Sequence, residues 1–423
     1  MLNLLPHPRP HLRHPPAPAT SIRAVPPRGL LLAAGLALGV CAHLPAQSAF
    51  TIPFTYENDF VVVEARLNGV YATRLLFDTG SEHTILTEPL LFPALAGAAL
   101  EPIRLVGSDL STVIEAGFSR RNDVSVGDVT LANQAIVAVD DDALDLGALA
   151  GEDVGGILGI GAFGAYVIVI DYRRGVLRLV PPERYDPPRG AIALPLARTD
   201  GKPHLRLATR VHAAYRDTLT YLLDTGAALE TLIFAAPADS AVYPPAIVAG
   251  VIGYGLGGTL QGFVGRTDTL ALPGRPLPGV ITHFQVVPEA PEAGAVARDG
   301  IVGNRLLSRF VVALDLPNAR AYLTPRRRRP RRRPYDRSGL TLVAEPGARG
   351  ALLVQFVAPG TPAAEAGVRR GDRIRKVNRL PVRLRSAARV TRLLRRRPGK
   401  TVRLQLEREG RLRTVEVVLR DLI

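Results

Sequence analysis

The chain is expected to be mainly β, with two related lobes in tandem and a small α+β domain at its C-terminal end. Three observations predict this. An apolar run ending in an acidic turn occurs twice, the same landmarks follow each copy at nearly one spacing, and a helix-and-strand segment of different character comes last.

The first copy is Leu75-Leu76-Phe77-Asp78-Thr79-Gly80-Ser81. The second, Tyr221-Leu222-Leu223-Asp224-Thr225-Gly226-Ala227, lies 146 residues later. Asp and Gly are ordinary turn residues, and glycine tolerates a tight or left-handed turn, so one copy carries little weight. The continuation carries more. Asp78 is followed by Gly156-Ile157-Leu158-Gly159, and Asp224 by Gly300-Ile301-Val302-Gly303. Each of those segments is followed 12 residues on by an acid, Asp171 or Asp315, and 10 further by Pro181 or Pro325. Landmarks repeated in one order indicate a duplicated lobe. The boundaries that follow are a leader over 1–49, lobe 1 over 50–190, lobe 2 over 191–325, an Arg/Pro-rich linker over 326–336 and a final domain over 337–423.

Two lobes that each offer an Asp on a tight turn suggest one shared site. Carboxylates forced together cannot both ionise easily, so they hold one proton between them. The ionised member then takes a proton from water attacking an amide carbonyl, while the protonated member hydrogen-bonds the carbonyl oxygen.

These residues resemble the active-site loops of pepsin-like and retropepsin-like aspartic peptidases, and the resemblance covers roughly residues 55–325. It implies paired lobes built as closed or partly open β-barrels, peptide or protein substrates, and neither cofactor nor metal. Carried over by motif, the catalytic roles fall on Asp78 and Asp224. Thr79 and Thr225 are expected to link the two loops, with Gly80, Ser81, Gly226 and Ala227 supporting them, and the later glycine segments to pack behind. The longer Ser-bearing signature and flap tyrosine pattern of a pepsin are lacking. The chain therefore resembles more closely a fused bacterial retropepsin-like enzyme.

Within the leader, residues 1–28 are rich in Pro, His and Arg, and a short apolar run over 30–40 follows Arg28. That run is too short for an ordinary membrane-spanning helix and suits an export signal, cleaved after Ala42 or Ser48. An uncleaved anchor and lipidation at Cys41 stay open. The expected location is the periplasm or cell envelope, or secretion, with membrane attachment through the leader only. As Cys41 is the sole cysteine, no intramolecular disulfide exists.

In lobe 1, residues 60–67 alternate and lead through Asn68-Gly69 into the Asp78 loop, as a β-hairpin. In lobe 2, Gly253, Tyr254, Gly255, Gly257 and Gly258 fall in a stretch, 251–265, where the resemblance places a hairpin closing over substrate; a plain tight turn is the other reading. The corresponding lobe 1 flap falls near 106–118, its tip not fixed by the sequence. Residues 159–164 and 253–258 each match a dinucleotide-type glycine fingerprint but lack the flanking strand-helix-strand pattern. His83, His204, His212 and His283 show no metal-ligand spacing and are read as solvated or core residues. Ser81 either hydrogen-bonds near Asp78 or only shapes the turn.

Residues 326–334 hold seven arginines and two prolines. The run suits anionic partners, but without aromatic residues for stacking it is read as a solvated linker, and nucleic acid is not the expected partner. The net charge of +15 is unevenly spread: residues 50–325 carry 21 basic and 30 acidic side chains, and residues 335–423 carry 21 and 8. All but three of the 53 basic residues are arginine, a coding bias rather than a functional one.

Residues 361–374, Thr-Pro-Ala-Ala-Glu-Ala-Gly-Val-Arg-Arg-Gly-Asp-Arg-Ile, resemble the helix and following strand of a bacterial PDZ domain. Strands over 351–357, 401–407 and 413–419, and a helix capped by Ser386, complete the pattern. Such domains add a peptide as an extra strand and hold its C-terminal carboxylate on backbone N–H groups. By resemblance that loop is Ser338-Gly339-Leu340-Thr341, with a protein C-terminus as partner. A domain that only packs on the lobes stays open. The expectation is an aspartic endopeptidase with a PDZ domain that recruits a substrate tail or regulates the cleft; the competing class is a non-catalytic peptide-binding scaffold.

Overall fold

Strand Phe60–Leu67 buries alternate residues from Val63 onward and turns through Asn68 and Gly69, both at positive φ (47° and 71°), into strand Tyr71–Asp78. Positive φ at both central positions matches the right-handed strand twist of a tight hairpin. This hairpin opens lobe 1 in a computed structural model that describes residues 49–95, 100–139, 146–150, 154–235, 240–287, 298–326, 332–344, 352–382 and 387–423. The expected leader, the Ser386 cap and the middle of the linker lie outside the described residues.

Among the described residues the strands form four sheets. The eight-stranded sheet of lobe 1 runs in the order 55–57, 60–67, 71–78, 154–159, 84–86, 129–138, 113–126, 101–106. The lobe 2 sheet runs 197–199, 202–212, 215–224, 300–303, 231–235, 277–286, 258–270, 247–255. The two orders are identical strand for strand, down to an extra pairing of the second strand with the seventh. Duplication is thus visible in topology as well as in motif.

The far landmarks of each repeat build a third sheet shared by both halves. Hairpin Val167–Asp171/Val176–Val180 comes from lobe 1 and Phe310–Asp315/Arg320–Pro325 from lobe 2; their inner strands pair antiparallel, Val167 opposite Asp315 and Ile170 opposite Val312. Phe50–Pro53 and Ile192–Pro195 add the two edges. One hydrophobic cluster runs from Ile52 to Leu323 through all three sheets, so the lobes share a core.

The final domain has its own core, including Leu352, Val354, Ile374, Val390, Leu404 and Val417, under a sheet ordered 340–344, 352–357, 373–377, 401–408, 411–418. Helices Pro362–Glu365 and Ala387–Leu394 complete it. Asp372, almost wholly buried, is held by Arg408 through Nε at 2.6 Å and a terminal guanidinium nitrogen at 2.8 Å. The domain is fastened to lobe 2. Tyr335 and Ile423 pack against the lobe 2 cluster of Leu229, Leu232 and Ile252.

The linker departs from the solvated reading at its described ends. Arg333 reaches the fully buried Glu230 at 3.4 Å, Arg309 pairs with the same carboxylate, and Arg326 donates to the Ser308 carbonyl at 2.8 Å. A buried acid needs such partners, and the flanking arginines supply them.

Candidate active site

Strand Tyr71–Asp78 lies parallel to Val154–Gly159, with Asp78 opposite Gly159, and Tyr215–Asp224 lies parallel to Gly300–Gly303, with Asp224 opposite Gly303. Each Asp therefore sits at the end of a strand braced from behind by its glycine segment. The bracing is tight: a Cβ on Gly156 would meet the Ile85 carbonyl oxygen at 2.3 Å, and one on Gly300 the Leu232 carbonyl oxygen at 2.1 Å.

The two loops are tied by their threonines. Thr79 Oγ1 donates to the Leu223 carbonyl at 2.6 Å and accepts from Thr225 N at 3.1 Å; Thr225 Oγ1 donates to the Phe77 carbonyl at 2.8 Å and accepts from Thr79 N at 3.0 Å. Both threonines are buried, so these four bonds are shielded from water.

The ties set the Asp78 and Asp224 carboxyls beside each other, close enough for a single N–H, that of Gly226, to reach both. Gly80 N and Gly226 N donate to Asp78 Oδ1 at 2.6 and 3.1 Å, and Gly226 N donates to Asp224 Oδ1 at 2.8 Å. Gly80 and Gly226 are not in the left-handed region. The sequence argument from turn conformation is corrected: these glycines are required by space, because each lies against the carboxyl of the opposite loop.

Burial pushes the Asp78 carboxyl well above the ordinary range, and the Asp224 charge beside it pushes the same way, against the Gly80 and Gly226 donors. Burial also raises Asp224, while the hydrogen bond from Asp78, the Arg298 guanidinium and backbone N–H groups hold it down. Two buried carboxyls this close cannot both ionise easily, so the pair favours the state with one proton between them.

The dyad opens into a cavity of about 600 Å³ roofed by two hairpins. From lobe 2 comes Ile247–Gly255/Gly258–Leu270, which carries Gly253, Tyr254 and Gly255 on one strand and turns at Leu256 and Gly257. From lobe 1 comes Glu101–Val106/Val113–Val126, whose tip at 107–112 the sequence did not fix. The tips touch: Ser108 N donates to the Leu256 carbonyl at 2.8 Å, and Gln285 Nε2 donates to the Ser108 carbonyl at 3.0 Å. Asp109 stiffens the lobe 1 tip by accepting from Ser111 and Thr112, backbone and hydroxyl alike.

Ser81 donates to the His83 carbonyl at 2.7 Å, a turn contact. Ala227 O accepts from Asn304 N at 2.7 Å. Three participants had no motif to mark them. Asn304, fully buried, donates to the carbonyls of Asp59 and Thr225 and accepts from Tyr172 at 2.5 Å, joining the lobes beneath the dyad. Its only sequence signal is that it follows Gly303 where the first copy has Ile160. Arg298 lines the cavity beside Asp224 with its guanidinium 5.4 Å from the Phe234 ring centre. Asp336 fills the loop assigned to a peptide carboxylate: its Oδ1 accepts from Ser338 N at 2.9 Å, Gly339 N at 2.8 Å and Ser338 Oγ at 2.8 Å.

One histidine, His283, lines the cavity that holds the two acids. His204 and His283 are buried, and burial together with Arg305 pushes His283 down to about 4, so it is neutral above that pH. No cluster of three or more His, Cys, Asp or Glu fit to hold a metal occurs among the described residues. Nor is any described helix long and apolar enough to cross a membrane.

Residues 63–162 match the family model described as aspartyl protease, and residues 335–419 match the PDZ domain model. The first match stops inside lobe 1, and the identical strand order extends the likeness to lobe 2. Among solved structures, the chain is similar to an aspartic proteinase from Irpex lacteus, at 17% identity and a TM-score of 0.44, over 66% of this chain and 97% of that one. A search of the curated proteins found no match.

Proposed function

From the premise of an aspartyl protease domain followed by a PDZ domain, we propose that the protein is an endopeptidase in which Asp78 and Asp224 together activate water. The observation that carries this is the pair itself: two carboxyls, one from each lobe, set side by side on one backbone N–H and facing one roofed cavity.

Ionised Asp224 takes a proton from a water molecule as the oxygen attacks the scissile carbonyl. Protonated Asp78 hydrogen-bonds the carbonyl oxygen and gives up its proton as the tetrahedral intermediate forms. As that intermediate collapses, one of its two hydroxyls returns a proton to Asp78 while the C=O bond re-forms and the C–N bond breaks, and the proton collected by Asp224 passes to the leaving amine, which restores protonated Asp78 and ionised Asp224. Gly80 N and Gly226 N hold the carboxyls in place through the cycle.

The test is hydrolysis of a mixed peptide library by the wild type, Asp78→Asn and Asp224→Asn. Cleavage by wild type and its loss in both variants is the expected result. Cleavage that survives either substitution, or an inert wild type from acidic to neutral pH, sinks the reading.

A further inference from the structure

The cavity that holds the dyad does not end at the lobes. Its far wall is Leu340, Thr341 and Leu342 of strand Leu340–Ala344, together with Thr391, Leu394 and Arg395 at the end of helix Ala387–Leu394. The catalytic cleft and the groove between strand and helix of the PDZ domain are one continuous space. Among the described residues, that strand pairs only with Leu352–Val357, leaving its other edge open to a further strand. Roof and groove are also joined mechanically: the Tyr254 hydroxyl on the lobe 2 hairpin donates to Gln355, and the Phe356 ring lies 3.9 Å from where a Gly250 Cβ would stand.

The seat for a terminal carboxylate in this groove is already taken. Successive backbone N–H groups form a nest for an anion, and here Ser338 N, Gly339 N and Ser338 Oγ all donate to Asp336 Oδ1, while Leu340 N donates to Ser338 Oγ at 3.2 Å. An incoming carboxylate would compete for donors in use and meet the Asp336 charge. The rest of the groove is unspent. Arg395 Nε, buried and without a hydrogen-bond partner among the described residues, adds a donor to the same passage.

We propose that the PDZ groove binds an internal, extended segment of the substrate polypeptide as a continuation of the catalytic cleft, and does not read a free C-terminus. The proposal rests on the endopeptidase reading and deepens it. The substrate class is then a long unfolded or looped stretch that spans both sites at once. Binding of the two parts is intramolecular, so the groove lowers KM for long substrates without a separate recruitment step.

The test uses the full chain and peptides that share one cleavable sequence, extended stepwise at either end, each as free acid and as amide. Extension at one end is expected to lower KM by about fivefold or more once the peptide reaches strand Leu340–Ala344, equally for acid and amide. Thr391→Trp, which fills the groove, should abolish that gain. Asp336→Ala, which empties the nest, should make the free acid better than the amide, whereas Asp336→Asn should leave them equal. A wild-type preference of several-fold for the free acid, or a KM independent of length, overturns the proposal. Should no peptide be cleaved, the endopeptidase reading fails, and dissociation constants of the same peptides, labelled with a fluorophore, decide the groove by the same two criteria.

Discussion

A Cβ on Gly226 would stand 2.5 Å from the Asp78 carboxyl carbon, and one on Gly80 would stand 2.7 Å from that of Asp224. Each loop therefore seats the acid of the other. Gly226→Ala must push Asp78 out of contact with Asp224, and a misplacement of this size costs roughly 100-fold or more in kcat/KM. Steady-state hydrolysis of a single peptide checks it. Activity within a few-fold of wild type would mean the dyad tolerates separation.

The threonine ties make a different prediction. In Thr79→Val or Thr225→Val the shape is kept, but a buried carbonyl and a buried N–H lose their partner. Each should lower stability by about 1–3 kcal/mol, read by chemical denaturation, with Thr→Ser recovering much of the loss. Equal stability of the Val variants would show that the lobes are held by their shared sheet alone.

Asp78 also gives stability a pH dependence. Its carboxyl, raised chiefly by burial and then by Asp224, contributes most while protonated. That contribution is full below the ordinary carboxylate range and is lost as pH rises through the elevated folded-state value. Asp78→Asn removes the loss. The variant should melt at a higher temperature than wild type at neutral pH, with the gap closing in acid; melting curves across pH decide the sign.

Arg298 should set where activity begins on the acid side. Its positive charge holds Asp224 down, against the larger effect of burial. Arg298→Gln removes that charge, so Asp224 is ionised only at higher pH and the acid limb of kcat/KM against pH moves upward. An unmoved acid limb would mean that the guanidinium does not act on the dyad.

Sequence patterns exposed the parts of this molecule whose logic is local. The hairpin Phe60–Leu67/Tyr71–Asp78, the two Asp-Thr-Gly loops and the PDZ helix Pro362–Glu365 follow from alternation, turn chemistry and motif. The cross-lobe bonds of Thr79 and Thr225 lie where the family resemblance implied. What stayed hidden depends on surfaces distant in the chain. Nothing near Ser108 signals that it meets Leu256, nothing near Arg298 marks it as a neighbour of Asp224, and Asp336 looks like linker until its carboxylate is seen in the nest. Such contacts carry no periodicity, because both partners satisfy ordinary local rules.

The sheet shared by the two halves has a consequence in time. Its central pairing sets Val167 against Asp315, about 150 residues further along. Contacts so distant in sequence form slowly, because a long loop must close before they contribute. During synthesis, lobe 1 emerges with an edge of this sheet uncovered and with only one of the two acids. The second acid appears at residue 224, and the strands that fix the halves together are complete only at Pro325. Both acids, and the strands that join the two halves, are therefore present together only when most of the chain has been made.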